Sequence, residues 1–274
     1  MGNFEVLIEP GKSEGNYWRD LWNYRELFYI LAWRDIKIRY KQAILGVGWA
    51  LIRPLLTMII FTVVFGRIAN LSNTVTSPYA LVVFAAMLPW QLFSSGLSEA
   101  SNSLVGSSAL ITKVYFPRVI VPISALMSSV LDFFISLVIF FFMLLFYKQQ
   151  LSWALLLLPF WLLLVFLLSA GVSLLLSALN VRFRDFRYII PFIIQFGLFI
   201  SPVGFSTNVV SSRWVSLYSL NPMVGIIEGF RWSLLGEGQL SVTNLFISIS
   251  ATLMILYFGV WYFRKTEKSF ADHI

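Results

Sequence analysis

Six long apolar stretches constrain what this chain can fold into more than any other feature of its sequence. They cover residues 49–69, 79–97, 119–147, 153–179, 188–205 and 240–263. The hydrocarbon core of a bilayer is about 30 Å thick, and a helix needs about 20 apolar residues to cross it. Only 12% of the residues are charged, about half the share found in soluble domains. We therefore predict an all-α integral membrane protein with six transmembrane helices.

The positions of lysine and arginine predict how these helices cross the membrane. Of the 20 such residues, 16 fall on one side of the predicted topology and four on the other. Because cytoplasmic loops carry the excess of lysine and arginine, both termini are expected in the cytoplasm. The predicted organisation is a cytoplasmic segment over residues 1–48, a transmembrane domain over 49–264 and a cytoplasmic tail over 265–274.

The sequence offers almost no groups for catalysis. It has no cysteine, and His273 is its one histidine, which excludes thiolate sites, histidine metal sites and nucleophilic triads. Gly11, Lys12 and Ser13 resemble the end of a phosphate-binding loop, but Val6 stands where that motif needs glycine. We expect no metal, no cofactor and no enzymatic activity on this chain. The net charge of +7 does not predict nucleic-acid binding, because the basic residues flank the apolar stretches.

The segment over residues 20–42 has the pattern of an amphipathic helix. Its apolar and basic positions form two stripes at helical spacing: Tyr24, Leu27, Phe28 and Leu31, and Arg34, Lys37 and Lys41. Such a helix lies in the membrane interface. Two roles stay open for it: an anchor to anionic lipid, and a gating helix packed at the cytoplasmic mouth of a pore.

Two predicted cytoplasmic loops, over residues 106–118 and 180–187, combine aromatic and basic side chains. The candidate contact residues are Lys113, Tyr115, Phe116, Pro117 and Arg118 in the first loop, and Arg182, Arg184, Asp185 and Arg187 in the second. Aromatic side chains and arginine are enriched where proteins bind one another. The loops therefore predict docking of a cytoplasmic partner protein. The alternative is that their basic residues serve only to fix the topology.

The predicted outer segment over residues 206–239 is too apolar for a free loop and too interrupted by glycine and proline for a span. We expect short re-entrant helices in this segment. Backbone at membrane depth must be buried in protein or line a cavity, and re-entrant helices meet that condition. The alternative is an interfacial loop that carries a belt of aromatic residues.

One acid and several aromatic side chains within the spans are candidates for a substrate path. The set is Trp90, Phe93, Asp132, Trp161 and Phe166. A carboxylate inside a membrane faces a bundle interior or water. Aromatic faces stack on sugar rings, so a row of them would let a polymer slide. For each ring, packing in the bundle or against lipid is the alternative.

Four motifs, in order along the chain, resemble those of membrane subunits from polysaccharide-export ABC transporters. Residues 33–54 resemble the segment that leads into the first span. KVYFPR at 113–118 and RFRDFR at 182–187 resemble the two coupling loops, and NPMVGIIEGFR at 221–231 resembles an outer motif. The exporters concerned are the O-antigen, capsule and teichoic-acid exporters of the type-2 ABC transporter class. In the outer motif the candidate residues are Asn221, Pro222, Glu228 and Arg231.

The resemblance implies a type-2 ABC transporter transmembrane domain in the bacterial inner membrane, surrounded by membrane lipid. It implies a second copy of the chain and two ATP-binding cassette subunits that hold ATP and Mg²⁺ and dock on the coupling loops. The implied activity is outward movement of a lipid-linked polysaccharide, driven by rigid-body gating. An exporter of drugs or lipids, a membrane glycosyltransferase, and a stand-alone channel or carrier stay open as alternatives.

Overall fold

The computed structural model describes residues 17–41, 46–209, 212–238 and 241–270. Within these ranges the chain is helical and contains no strand, which confirms the predicted all-α class. His273 and the segment from Gly11 to Ser13 lie outside the described residues.

Eleven α-helices, joined by turns and short loops, make up most of the described ranges. In chain order they are α1 (Tyr17–Asn23), α2 (Arg25–Lys41), α3 (Gly46–Phe61), α4 (Tyr79–Gly106), α5 (Ser108–Lys113), α6 (Ile120–Tyr147), α7 (Leu158–Arg182), α8 (Phe186–Ile200), α9 (Ser212–Tyr218), α10 (Pro222–Leu235) and α11 (Val242–Thr266). A π-helical segment, Thr62–Ile68, continues α3 without a break. A short 3₁₀ helix, Trp153–Leu157, leads into α7.

Four helical segments within the described ranges are long and apolar enough to cross a membrane. They are Tyr79–Gly106, Ile120–Tyr147, Trp153–Arg182 and Val242–Ser269. These segments correspond to the second, third, fourth and sixth predicted spans. The first and fifth predicted spans contain α3 and α8, which have 16 and 15 residues, fewer than the roughly 20 that a crossing needs. Helix length therefore accounts for four of the six predicted spans.

The centre of the bundle is α4, which packs against α6, α7 and α10. In its most apolar stretch of 18 residues, 83% of the residues are buried. The corresponding shares are 33% for α6 and 17% for the segment that contains α11. The outer helices therefore turn much of their apolar surface away from the protein. In a membrane this surface contacts lipid, which is as apolar as a leucine side chain.

The bundle has two chemically different ends. At one end, Asn180 Nδ2 donates to the Ser101 carbonyl oxygen at 2.9 Å, which sets the end of α7 beside the last turns of α4. The loops over residues 113–118 and 182–187 therefore lie together at this end. We call it the basic end, because these loops carry Lys113, Arg118, Arg182, Arg184 and Arg187. At the opposite end Glu237 accepts hydrogen bonds from the main-chain N–H groups of Thr76 and Ser77. Burial acts to raise the pKa of Glu237, but a hydrogen bond from the Thr76 hydroxyl, together with these main-chain hydrogen bonds, outweighs it and holds the pKa below its ordinary value.

Candidate substrate cavity and partner surfaces

A polar cavity of about 680 Å³ lies between α2, α3, α4, α6 and α8. Ten of its thirteen lining residues carry a hydroxyl, amide or charged group. The lining residues are Arg39, Tyr40, Arg53, Pro54, Gln91, Ser94, Ser95, Ser98, Asp132, Ser136, Pro191, Ile194 and Gln195. The volume is within the range of about 300–1,000 Å³ that is typical of small-molecule sites.

One face of α4 supplies the longest polar stripe of this cavity. Gln91, Ser94, Ser95 and Ser98 follow one another at spacings of three and four residues, so a helix places them on one side. The Ser94 and Ser95 hydroxyls donate to the Gln91 carbonyl oxygen, at 3.4 and 2.5 Å. Polar groups inside a membrane face the bundle interior or water rather than lipid. The sequence analysis missed this stripe, although small polar residues at helical spacing within an apolar stretch are the signal for it.

A charged cluster lies at the wall of the cavity near the end of α2. The guanidinium of Arg39 pairs with Glu99 of α4 and with Asp132 of α6. Tyr40 donates its hydroxyl to Asp132, and burial together with that hydrogen bond raises the pKa of Tyr40 above its ordinary value. Ser129 donates to the second Glu99 oxygen at 3.5 Å. Asp132 therefore lines the cavity, and its carboxylate is already bound by groups of α2.

The aromatic residues predicted for the substrate path lie away from the cavity wall. Trp90, Phe93 and Trp161 are only 5%, 9% and 2% exposed, and Phe166 packs against a cluster of apolar residues from α4, α6 and α7. A Cβ added at Gly229 of α10 would come within 2.5 Å of Trp161 Cε3, so ring and backbone are in direct contact. These rings fill the space between packed helices, which corrects the prediction of an aromatic path in this chain.

The first loop at the basic end is only partly available to a partner. Phe116 is 3% exposed and Pro117 is buried. Phe116 packs in a cluster with Leu31 and Phe263, so the prediction that it faces a partner is wrong. The side chain of Arg118 donates to the main-chain carbonyl oxygen of Glu267, which ties it to the end of α11. Lys113 and Tyr115 are exposed.

The second loop at the basic end is open on most sides. Arg182, Arg184, Asp185 and Arg187 are exposed, as the prediction of a partner surface requires. Phe183, an aromatic residue of the same loop, is 48% exposed. The Arg182 guanidinium carbon lies 5.4 Å from the centre of the Phe183 ring, a cation–π contact. Three guanidinium groups and one carboxylate give this loop a positive surface.

The predicted amphipathic helix packs on the bundle beside the cavity. Tyr24, just before α2, donates its hydroxyl to the Tyr115 carbonyl oxygen at 3.3 Å, and Tyr24 and Phe28 pack towards the cluster that contains Phe116. Arg34 and Lys37 of the same helix are exposed. The apolar stripe predicted for this helix therefore contacts protein. A separate set of exposed apolar side chains, Trp22, Tyr29, Ile30 and Trp33, faces away from the bundle.

The outer motif positions α10 within the bundle. The Asn221 side chain caps the helix by accepting from the Met223 N–H at 3.0 Å, and Pro222 occupies the first turn. Gly236 ends the helix with φ 71°, a left-handed conformation that favours glycine. The motif thus has a clear structural role at the start of α10.

The polar residues of the same motif are also held within the protein. The buried Arg231 guanidinium donates to the carbonyl oxygens of Phe205 and Val203 at 2.8 and 2.9 Å and to that of Val82 at 3.3 Å. Glu228 accepts a hydrogen bond from Thr207. Arg231 therefore joins α10 to α4 and to the turn that follows α8.

Comparison with known proteins identifies the family. A match to the ABC-2 type transporter family spans residues 26–235, more than half of the chain. The chain belongs to the ABC-2 type transporter family. The matched part of this ABC-2 chain contains the whole cavity wall, both loops at the basic end and α10.

Several proteins of known name are similar to this ABC-2 chain over most of its length. The O-antigen export system permease protein RfbA of Myxococcus xanthus is 26% identical over 93% of this chain and 98% of its own. RfbA of Klebsiella pneumoniae is 24% identical over 90% of this chain and 94% of its own. The polysialic acid transport protein KpsM of Escherichia coli is 23% identical over 86% of this chain and 92% of its own.

Proposed function

We propose that this ABC-2 chain is the transmembrane permease subunit of an ATP-driven exporter that moves a lipid-linked polysaccharide out of the cytoplasm. The observation that carries the proposal is the polar cavity, which exists in a chain with 58% hydrophobic residues. Its wall presents the hydroxyl and amide groups of Gln91, Ser94, Ser98 and Gln195. Such groups both donate and accept hydrogen bonds, as sugar hydroxyls do.

The names of the relatives support a polysaccharide as the substrate class. Two relatives are described as O-antigen export permeases and one as a polysialic acid transport protein. An O-antigen-like, capsular or teichoic-acid polymer has the hydroxyl groups that this cavity can bind. An exporter of apolar drugs or lipids is the second candidate. It is less well supported, because an apolar substrate would displace water from the polar lining without replacing its hydrogen bonds.

The proposed topology has six spans in the bacterial inner membrane and both termini in the cytoplasm. The helical chain over residues 46–68 provides the first span and α8 the core of the fifth, while α9 and α10 form re-entrant helices on the outer side. Support comes from the excess of lysine and arginine at the basic end. The burial of the 14-residue helix α10 between α4, α7 and α11 also agrees with a re-entrant position.

The proposed assembly contains two copies of this chain and two ATP-binding cassette subunits. The cassettes hold ATP and Mg²⁺ and bind the exposed parts of the loops at the basic end, including Tyr115 and Phe183. A second copy packed against the exposed aromatic face of α8, which includes Phe192 and Phe196, would cover the side of the cavity that α8 borders. Symmetric dimers are the commonest oligomers.

Transport in proteoliposomes tests the function directly. The chain and the cassette ATPase that co-purifies with it are reconstituted with lipid-linked polysaccharide extracted from the source bacterium. We expect ATP to move the polysaccharide to the side opposite the cassettes, where an added glycosidase digests it. A non-hydrolysable ATP analogue serves as the control. ATP-dependent movement of a fluorescent lipid or a drug, without movement of the polysaccharide, would contradict the proposal.

A further inference from the structure

Helix α2 is attached at its two ends to two different parts of the molecule. At its start, the Tyr24 hydroxyl donates to the Tyr115 carbonyl oxygen in the loop after α5, at 3.3 Å. Leu31, in the middle of α2, shares a buried cluster with Phe116 from the same loop. The first half of α2 therefore follows the position of the loop that the proposed function assigns to ATPase docking.

The far end of α2 is attached to the wall of the cavity. Arg39 pairs with Glu99 of α4 and Asp132 of α6, and Tyr40 donates to Asp132. One guanidinium thus joins three helices, and Arg39, Tyr40 and Asp132 are themselves cavity-lining residues. A guanidinium presents several donors in a fixed plane, so it can hold two carboxylates in a defined geometry.

The helix between the two attachments is uninterrupted. The 17 residues of α2 include no proline and no glycine, which are the usual causes of kinks. At about 1.5 Å per residue, Tyr24 and Arg39 are roughly 22 Å apart along the axis. A packed helix of this kind carries a displacement of one end to the other, because its hydrogen-bonded backbone does not compress.

We propose that α2 transmits movement of the ATPase-facing loop to the cavity, and that Arg39 is the positioning residue that fastens α2 to the cavity wall through Glu99 and Asp132. The inference rests on the proposed function, since it takes the loop as the place where the ATPase acts. Chains of packed side chains, hydrogen-bond networks and rigid helices carry energetic coupling between distant sites. The Tyr24, Phe116 and Arg39 contacts supply such a connection within the described part of the chain.

The test follows how the cavity responds to nucleotide. Because the chain has no cysteine, Ser94→Cys gives a single labelling site in the cavity of the complex with its ATPase. We expect ATP with vanadate to change the rate of maleimide labelling at this site at least threefold. Arg39→Gln is expected to remove the difference between the two states. Arg39→Lys keeps a positive charge beside both Glu99 and Asp132 and is expected to retain more of the difference than Arg39→Gln does.

A matched control neutralises another arginine of the same helix. Arg34 pairs at 2.8 Å with Asp35, its neighbour on α2, so Arg34→Gln leaves the attachment of α2 to α4 and α6 in place. We expect Arg34→Gln to keep the full response to nucleotide. The inference is overturned if the parent Ser94→Cys complex shows no response, if Arg39→Gln keeps the response, or if Arg34→Gln removes it as completely as Arg39→Gln does.

A second labelling site separates transmission from simple unfolding. Ala32 is buried and Trp33 is exposed. We expect Ala32→Cys to label as slowly in the Arg39→Gln background as in the parent, because the neighbouring Leu31 still holds this part of α2 in the Phe116 cluster. Trp33→Cys is expected to label readily in both backgrounds. Faster labelling at position 32 would mean that α2 unfolds or detaches from the loop, and would overturn the positioning role. Labelling depends on nucleotide and not on the substrate, so failure of polysaccharide transport contradicts the proposed function without deciding this test.

Discussion

The Glu267 carboxylate accepts a hydrogen bond of 2.6 Å from the main-chain N–H of Arg118, and the Arg118 side chain donates to the Glu267 carbonyl oxygen. These two residues join the loop after α5 to the turn that follows α11. The loop therefore has a fixed shape before any partner binds. Its conformation depends on a carboxylate that lies 149 positions away in the sequence.

Glu267→Ala is expected to loosen this loop. The change removes a charge-assisted hydrogen bond, which contributes about 1.5–3 kcal/mol. Trypsin cuts after lysine and arginine, so we expect faster limited proteolysis after Lys113 and Arg118, measured by mass spectrometry of the purified protein. Lys268→Ala, a change at the neighbouring exposed residue, is the control and is expected to have no such effect. Unchanged cleavage in Glu267→Ala would show that other contacts fix the loop.

Two phenylalanines of the basic end are expected to behave differently when replaced by alanine. Phe116 is buried in a cluster between helices, so Phe116→Ala should lower the free energy of unfolding by about 3–5 kcal/mol. Phe183 is half exposed, so Phe183→Ala should leave stability nearly unchanged and reduce the ATPase recovered with the purified chain several-fold. Thermal unfolding in detergent and the ratio of co-purified ATPase measure the two effects. Equal loss of stability in both variants would contradict the assignment.

The close packing of α7 and α11 depends on two glycines. A Cβ added at Gly259 would overlap the Gly171 carbonyl oxygen and lie 2.9 Å from its carbonyl carbon. Backbone atoms cannot move aside as a flexible side chain can, so Gly259→Ala should destabilise the protein by about 1–3 kcal/mol. Gly106→Ala is the matched control, since a Cβ there would meet nothing within 4 Å. We expect a lower unfolding temperature in Gly259→Ala alone.

Arg231 is expected to be irreplaceable by lysine. Its guanidinium reaches the carbonyl oxygens of Val82, Val203 and Phe205, whereas a single ammonium group cannot reach all three. Each buried acceptor left without a partner costs about 1–3 kcal/mol. The unfolding temperature of Arg231→Lys should therefore fall well below that of the control Arg67→Lys, which changes an exposed residue. Similar temperatures in the two variants would show that the three carbonyl contacts contribute little.

The sequence was sufficient to predict features that depend on residue type and order. The all-α class, the long apolar helices and the open second loop with Arg182 and Arg187 all follow from hydropathy and charge along the chain. The sequence also singles out Asp132, because a carboxylate within a span faces a bundle interior or water.

Features that depend on contacts between distant segments could not be predicted from the sequence. Phe116 stands among residues typical of a binding loop, and only the positions of Leu31 and Phe263 in the fold make it a core residue. Trp161 is buried because Gly229 allows its ring to lie against α10. The same reasoning explains the error about the aromatic path, since a large ring serves equally well to bind sugar and to fill a gap between helices.

The central claim, that the polar cavity is the path of the polysaccharide, is tested most directly by a photo-crosslinking amino acid placed in its wall. Gln91 and Gln195 line the cavity, while Phe142 on α6 is an exposed apolar residue and serves as the lipid-facing control. With the ATPase active and the lipid-linked polysaccharide present, we predict polysaccharide adducts at positions 91 and 195 and lipid adducts alone at 142. Lipid adducts alone at all three positions would contradict the account.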